Sequence, residues 1–223
     1  MQVRNGSFAS RLPTPTVALH PAPTATGAGF QMVLRPGEEL FGEGDEAEFF
    51  YQVVSGAVRS CKLLNDGRRQ IDAFHLRGDI FGIEAGTEHR FSAEAIGDVT
   101  VIAYRRSRLA ALIQDDPAFR DKIMTATLRS LDRAYDHMLL LGRKAAPEKM
   151  ATFLLDMAQR LSHDDENFEL PMTRADIADH LGLTIETVSR TLTQFVRSGL
   201  IRLLPAGRSI SLCNKLALRE LDA

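Results

Sequence analysis

The chain has 223 residues, 44% of them hydrophobic and 25% charged, with a net charge of −2. That is the profile of an ordinary soluble globular protein, with core material for one large or two small domains, and it excludes a polycation that binds nucleic acid all over its surface. Cys61 and Cys213 are the only cysteines and form no C-x-x-C, which excludes a disulfide framework and a zinc site of the usual spacing. No apolar run is long enough to span a membrane and the N-terminus carries no signal-peptide core, so the expected location is the cytoplasm.

Residues 1–29 are rich in Pro, Thr, Ala and Gly, with Pro13, Pro15, Pro21 and Pro23 close together. They read as a flexible N-terminal tail. Residues 30–116 read as a sensor-like β-roll. Short apolar runs such as Phe49-Phe50-Tyr51-Gln52-Val53-Val54 and Gln70-Ile71-Asp72-Ala73-Phe74 alternate with glycine turns. Asn65-Asp66-Gly67 is a hairpin signal. A short helix from 105 ends near Asp115-Asp116-Pro117.

Residues 117–141 read as a dimerisation helix. Met124, Thr127, Leu131, Ala134, Met138 and Leu141 recur at alternating intervals of three and four, the spacing of a coiled-coil seam. Ile123, Leu128, Tyr135 and Leu139 lie off that seam, which predicts a second apolar face packed on the helix's own domain. Gly142 interrupts the helix as a hinge, and 142–223 form the last domain. A further helix runs from Pro147, suited to a first turn, to Leu161, and a polar loop follows to Asn167.

The sharpest pattern lies in residues 172–212. Thr173-Arg174-Ala175-Asp176 is a capping box opening a short helix with Ile177, Ala178 and Leu181 on its apolar face. Gly182 ends it, and Thr184 caps the next helix. There Val188, Leu192 and Phe195 point one way, and Glu186, Ser189, Arg190, Thr193 and Arg197 the other. Arg190 suits guanine O6 and N7, and Glu186 suits cytosine N4. Alone, such a Glu–Arg pair is an ordinary solvated face; the capped helix and glycine turn before it make it the reading head of a helix-turn-helix. From Thr184 to Lys215 there are five basic residues and one acid, a local +4 on a chain of −2, as phosphate attraction requires. Leu200–Leu204 and Ser209–Leu212 flank the turn Pro205-Ala206-Gly207-Arg208, a wing whose tip offers Arg208 to the DNA backbone.

Four segments, Leu63–Ile71 (LLNDGRRQI), Asp136–Lys144 (DHMLLLGRK), Asp176–Asp179 (DIAD) and Leu183–Arg190 (LTIETVSR), resemble the CRP/FNR superfamily of bacterial transcription regulators, with most likeness to its FixK branch. The resemblance covers about residues 30–220. It implies an α+β fold: a cyclic-nucleotide-binding-like jelly roll, a long dimerisation helix and a C-terminal winged helix-turn-helix. It further implies base contacts from Ile185, Glu186, Ser189 and Arg190, with Ile185 facing a thymine methyl, and phosphate contacts from Arg174, Thr184 and Thr187. The implied activity is that of a homodimeric activator that binds a palindromic duplex of the TTGA…TCAA type, contacts RNA polymerase and controls genes of low-oxygen or nitrogen metabolism.

The departures are equally specific. Two cysteines are too few for a four-cysteine iron–sulfur cluster. Around the expected cyclic-nucleotide site the chain reads Gly78-Asp79-Ile80-Phe81-Gly82-Ile83-Glu84, and Arg90 is followed by Phe91 before Ser92. Glu84 is a poor haem ligand. No cofactor is therefore expected. A ligand-gated regulator of the same fold stays open as an alternative, as does a cupin-like metal enzyme using His75, Glu84 and His89, although the H-x-H spacing is missing.

Overall fold

The computed structural model describes residues 19–23, 29–162, 166–204 and 208–222. Its N-terminal part is built from antiparallel strands: β1 (Leu19–Pro23), β2 (Gly29–Leu34), β3 (Glu39–Phe41), β4 (Phe49–Ser55), β5 (Val58–Leu63), β6 (Arg69–His75), β7 (Ile80–Phe81), β8 (Ser92–Ala95) and β9 (Val99–Arg105). They form two sheets, ordered β1-β2-β9-β4-β7 and β3-β8-β5-β6. Side-chain alternation sends Val99, Val101 and Ala103 of β9 and Met32 and Leu34 of β2 into the roll interior. Asn65-Asp66-Gly67 closes the β5–β6 hairpin as its sequence predicts: Gly67 takes φ +82°, and the Leu64 N–H donates to the Arg68 carbonyl at 2.8 Å.

Within the stretch read as a tail, Leu19–Pro23 instead pairs with β2, Leu19 opposite Met32. An edge strand tolerates Pro21 and Pro23, because only one side of its ladder needs donors. Residues 1–18 and 24–28 lie outside the described residues.

A single 3₁₀ turn (Arg106–Arg108) leads into α1 (Leu109–Asp115). Asp116 then caps α2 (Pro117–Arg143), its carboxylate accepting from the Phe119 N–H at 3.0 Å, with Pro117 in the first turn. At its start, Phe119 and Ile123 pack on Phe50, Ile80 and Tyr104 of the roll; at its end, Leu140 joins the C-terminal core. The helix does not break at Gly142 and runs to Arg143. A helical glycine costs only about 1 kcal/mol, and the Lys144 N–H still reaches the Leu140 carbonyl at 3.4 Å.

The C-terminal part comprises α3 (Ala146–Leu161), β10 (Asn167–Glu169), α4 (Arg174–Leu181), α5 (Ile185–Arg197), β11 (Ile201–Leu203), β12 (Ser209–Leu212) and α6 (Lys215–Asp222). Met150, Leu154 and Met157 of α3 meet Ile177, Leu181 and Phe195 in a core that also takes in Ile71 and Phe74 of β6, so buried apolar contact is continuous from roll to C-terminal domain. The fold is α+β: a β-roll, a long helix and a winged helix-turn-helix. Among the described residues no helix is long and apolar enough to cross a membrane.

Candidate nucleic-acid interface

Four devices aim the reading helix. Thr173 opens α4 with a reciprocal box: its hydroxyl accepts from the Asp176 N–H at 3.2 Å, and the Asp176 carboxylate accepts from the Thr173 N–H at 3.0 Å. Gly182 ends α4 at φ +62°, a left-handed conformation that turns the chain sharply into α5. The buried Lys149 donates to the Leu181 carbonyl at 3.1 Å, placing a cation at the C-terminal end of α4. Thr184 then caps α5, accepting from the Thr187 N–H at 3.2 Å.

On α5, Val188, Thr191, Leu192 and Phe195 are buried. Ile185, Glu186, Arg190, Thr193 and Arg197 are exposed, and Ser189 and Thr187 are half-buried between them. A hydrogen bond from its own backbone N–H and one from the Thr184 hydroxyl hold the Glu186 carboxyl below its usual range, so it is a ready acceptor at neutral pH. Arg190 reaches Thr187 Oγ1 at 3.4 Å rather than Glu186, leaving an acceptor and a forked donor side by side on one face. Arg174 of α4 extends to Ser189 Oγ at 3.3 Å and so joins the same surface.

The wing has a strand more than the sequence suggests. β12 pairs with β11, Arg202 opposite Ser211, and also with β10, Phe168 opposite Ile210. Residues 205–207 of the turn lie outside the described residues; Arg208 beside them is exposed. Arg208 and Arg174 line one cleft of about 310 Å³ between wing and α4. Base-facing and backbone-facing candidates are thereby gathered on one side of the C-terminal domain. Gln194 and Ser198, absent from the sequence-derived set, share a shallow depression on that side with Arg190 and Arg197; their signal was the helical period itself.

The seam residues form a separate stripe. Met124, Thr127, Leu131, Ala134, Met138 and Leu141 are all exposed, Leu131 by 47% and Met138 by 63%. Of the four apolar residues expected to pack within the chain, Ile123 does so; Leu128, Tyr135 and Leu139 are exposed as well. The buried apolar residues of α2 lie near its two ends, and between them Arg133 pairs with Asp79 at 3.6 Å and His137 bonds the His180 carbonyl at 2.8 Å, so the apolar face left exposed along its middle is wider than the sequence pattern alone suggests.

In the roll, polar groups around the expected cyclic-nucleotide site bond within the chain. Ser92 Oγ accepts from the Glu43 N–H at 3.0 Å, and Glu84 Oε1 accepts from the Arg90 N–H at 3.4 Å. The interior is filled by aromatic rings: Phe41 stacks on His89 with centroids 3.6 Å apart and on Tyr51 at 5.5 Å. His75 meets Ser60 Oγ at 2.5 Å and stacks on Phe81, and among the described residues it forms no metal-binding group with the His89–Glu84 pair. Cys61 is buried; desolvation and the nearby Glu94 carboxylate push its thiol up to about 11, against thiolate chemistry. Cys213 is exposed.

Known proteins share this arrangement. Residues 31–116 match the model of the cyclic nucleotide-binding domain, and residues 148–221 that of the Crp-like helix-turn-helix domain. The chain is 47% identical to the nitrogen fixation regulation protein FixK of Azorhizobium caulinodans, over 91% of this chain and 83% of that protein. It is 41% identical to the protein of the same name from Rhizobium meliloti, over 91% and 92%. The solved structure of FixK2 from Bradyrhizobium japonicum superposes with a TM-score of 0.81 at 50% identity, covering 87% of this chain and 98% of that one. The likeness runs over most of the length of these regulators and takes in both the roll and the helix-turn-helix domain, and the chain belongs to the CRP/FNR family of DNA-binding transcription regulators, on its FixK branch.

Proposed function

We propose that the chain acts as a homodimer, joined along Met124, Thr127, Leu131, Ala134, Met138 and Leu141, that reads a two-fold symmetric DNA site of the TTGA…TCAA type and activates transcription through contact with RNA polymerase. Ile185, Glu186, Ser189 and Arg190 read base edges; Arg174, Thr184, Thr187 and Arg208 hold phosphates. The single observation that carries this reading is the exposed polar face of α5, its anionic acceptor and forked donor side by side on a helix capped at its start and buried along its back.

The exposed apolar stripe of α2 supports the dimer, since seven large apolar side chains between Met124 and Leu141 are otherwise left to water. The engaged Ser92 and Glu84 and the aromatic filling of the roll support binding without a cyclic nucleotide, and the cysteine count supports binding without an iron–sulfur cluster. Relatives that carry the name nitrogen fixation regulation protein support placing genes of nitrogen or low-oxygen metabolism under its control.

The test is selection of bound sequences from a random DNA pool with the purified protein and no effector. An enriched inverted repeat is expected. Enrichment of a single unsymmetric site overturns the two-fold reading, and enrichment only after a cyclic nucleotide is added overturns effector independence in favour of the gated alternative.

A further inference from the structure

The first helix of the helix-turn-helix, α4, is fastened to the roll by charge. Asp176 is only 2% exposed, and its two oxygens are divided between two tasks. Oδ2 closes the cap with the Thr173 N–H and hydroxyl, at 3.0 and 2.7 Å. Oδ1 accepts from Arg59 NH1 at 2.9 Å and from Arg69 NH2 at 2.7 Å. Burial alone would raise this carboxyl's pKa; the Thr173 bonds, with Arg59 and Arg69, outweigh it and hold it below its usual range.

Arg59 is fixed before it reaches α4, and Arg69 stands 3.9 Å from the same Glu94 carboxylate. Arg59 lies directly across from Glu94 in the β5–β8 register and spends Nε and NH2 on Glu94 Oε2, at 2.9 and 2.6 Å. Its planar fork therefore has one direction left for NH1. Arg69, on the neighbouring strand, also reaches Asp179 Oδ2 at 2.9 Å, so it holds α4 at two points one turn apart. At the other end of α4, His180 Nδ1–H donates to the Ile71 carbonyl at 3.1 Å, and the Gln70 amide donates to the His180 carbonyl at 3.3 Å. One hairpin thus grips α4 along its length. Two residues before Asp176 stands Arg174, which touches Ser189 on the reading helix.

We propose that Arg59 and Arg69 are positioning residues for DNA recognition: by fixing α4, they set the attitude of α5 to α2, and so the spacing between half-sites that the dimer accepts. The proposal rests on the two-fold reading above. Each inserted base pair moves the second half-site about 3.4 Å along the duplex and about 34° around it, which a rigidly docked head cannot follow and a loosened one can.

The test compares the full-length protein with the Arg59→Ala/Arg69→Ala variant on duplexes whose half-sites keep the selected spacing or differ by one base pair either way. A second set carries a substituted base within the half-site. For the wild type, affinity peaks at one spacing. In the variant the preference for that spacing contracts about tenfold, the scale on which charge networks couple neighbouring elements, while discrimination against the substituted base is kept. Arg69→Gln, which spares Arg59, gives a smaller contraction and serves if the double variant does not fold. An unchanged spacing profile overturns the proposal. So does an equal loss at every spacing with a lower melting temperature, which marks the pair as stabilising only. A wild-type profile with no peak refutes the two-fold reading itself, and the proposal with it.

Discussion

Replacing Arg190 by alanine separates base reading from phosphate holding. The side chain is exposed, and its hydrogen bond in the protein is a 3.4 Å contact with Thr187 Oγ1, while Val188 and Leu192 anchor the helix from its other side. Its loss leaves the fold intact, so binding reports recognition directly. A guanidinium donating twice to one guanine contributes about 1–3 kcal/mol. Two reading heads lose it together, so the specific site weakens by roughly 2–6 kcal/mol, about thirtyfold to twenty-thousandfold. On random DNA the loss is small, and the salt dependence of binding keeps its slope, because no phosphate contact has been removed. Arg174→Ala, by contrast, weakens all sequences alike and lowers the salt slope by about one for each head. Equilibrium titration of specific and random duplexes at several salt concentrations reads all four quantities. An equal loss on both duplexes for Arg190→Ala would falsify base reading by this residue and leave it a phosphate contact.

Leu131→Asp places a carboxylate at the middle of the exposed stripe of α2; sedimentation at micromolar concentration should show a folded monomer that no longer binds the palindrome, and a persisting dimer would sink the seam. Gly182→Ala puts a Cβ on a φ of +62° and 3.3 Å from Leu141 Cδ2, and should lower unfolding stability by about 1–2 kcal/mol in a denaturant titration; an unmoved midpoint would contradict the turn. Burial depresses His75 from 6.5 to about 4, and burial with the nearby His137 depresses His180 to about 3. The unfolded chain then takes up protons below pH 6.5 that the folded one refuses, so stability is full above that pH and falls as the pH drops toward 4, by about 2 kcal/mol per histidine at pH 5. Unfolding curves at pH 7 and 5 should show the loss, His180→Gln should remove its share, and a flat profile would count against the burial argument.

What could be read from the sequence was local. The Thr173–Asp176 box, Gly182, the Thr184 cap, Asp116-Pro117 and the Asn65-Asp66-Gly67 hairpin each complete their chemistry within a few residues, and each forms as its residues dictate. What could not be read depends on distant partners. β10 has three residues and exists because β12 offers it an edge; α6 lies against α3 and ends where Lys144 bonds Asp222 at 2.7 Å. Leu128, Tyr135 and Leu139 carry no signal that says which apolar surface covers them. Arg59 and Asp176 are 117 residues apart, and neither has a neighbour that announces the other. The DIAD segment is legible as part of a helix-turn-helix, but the partners of its two acids are not.

Those acids also bear on how a chain of net charge −2 approaches a polyanion. Asp176 and Asp179 sit within five residues of Arg174, close enough to offset its attraction for phosphate if they shared its exposure. They do not: Asp176 is buried against Arg59 and Arg69, and Asp179 is paired with Arg69, on the side of α4 that faces the roll. Their charge is neutralised there, and the opposite side presents Arg174, Arg190, Arg197 and Arg208 with Glu186 the one acid on the reading helix. The ion pairs that hold α4 to the roll therefore also separate charge across the domain. Breaking them would loosen the head and, in the same step, release two carboxylates close to the basic surface proposed to meet DNA.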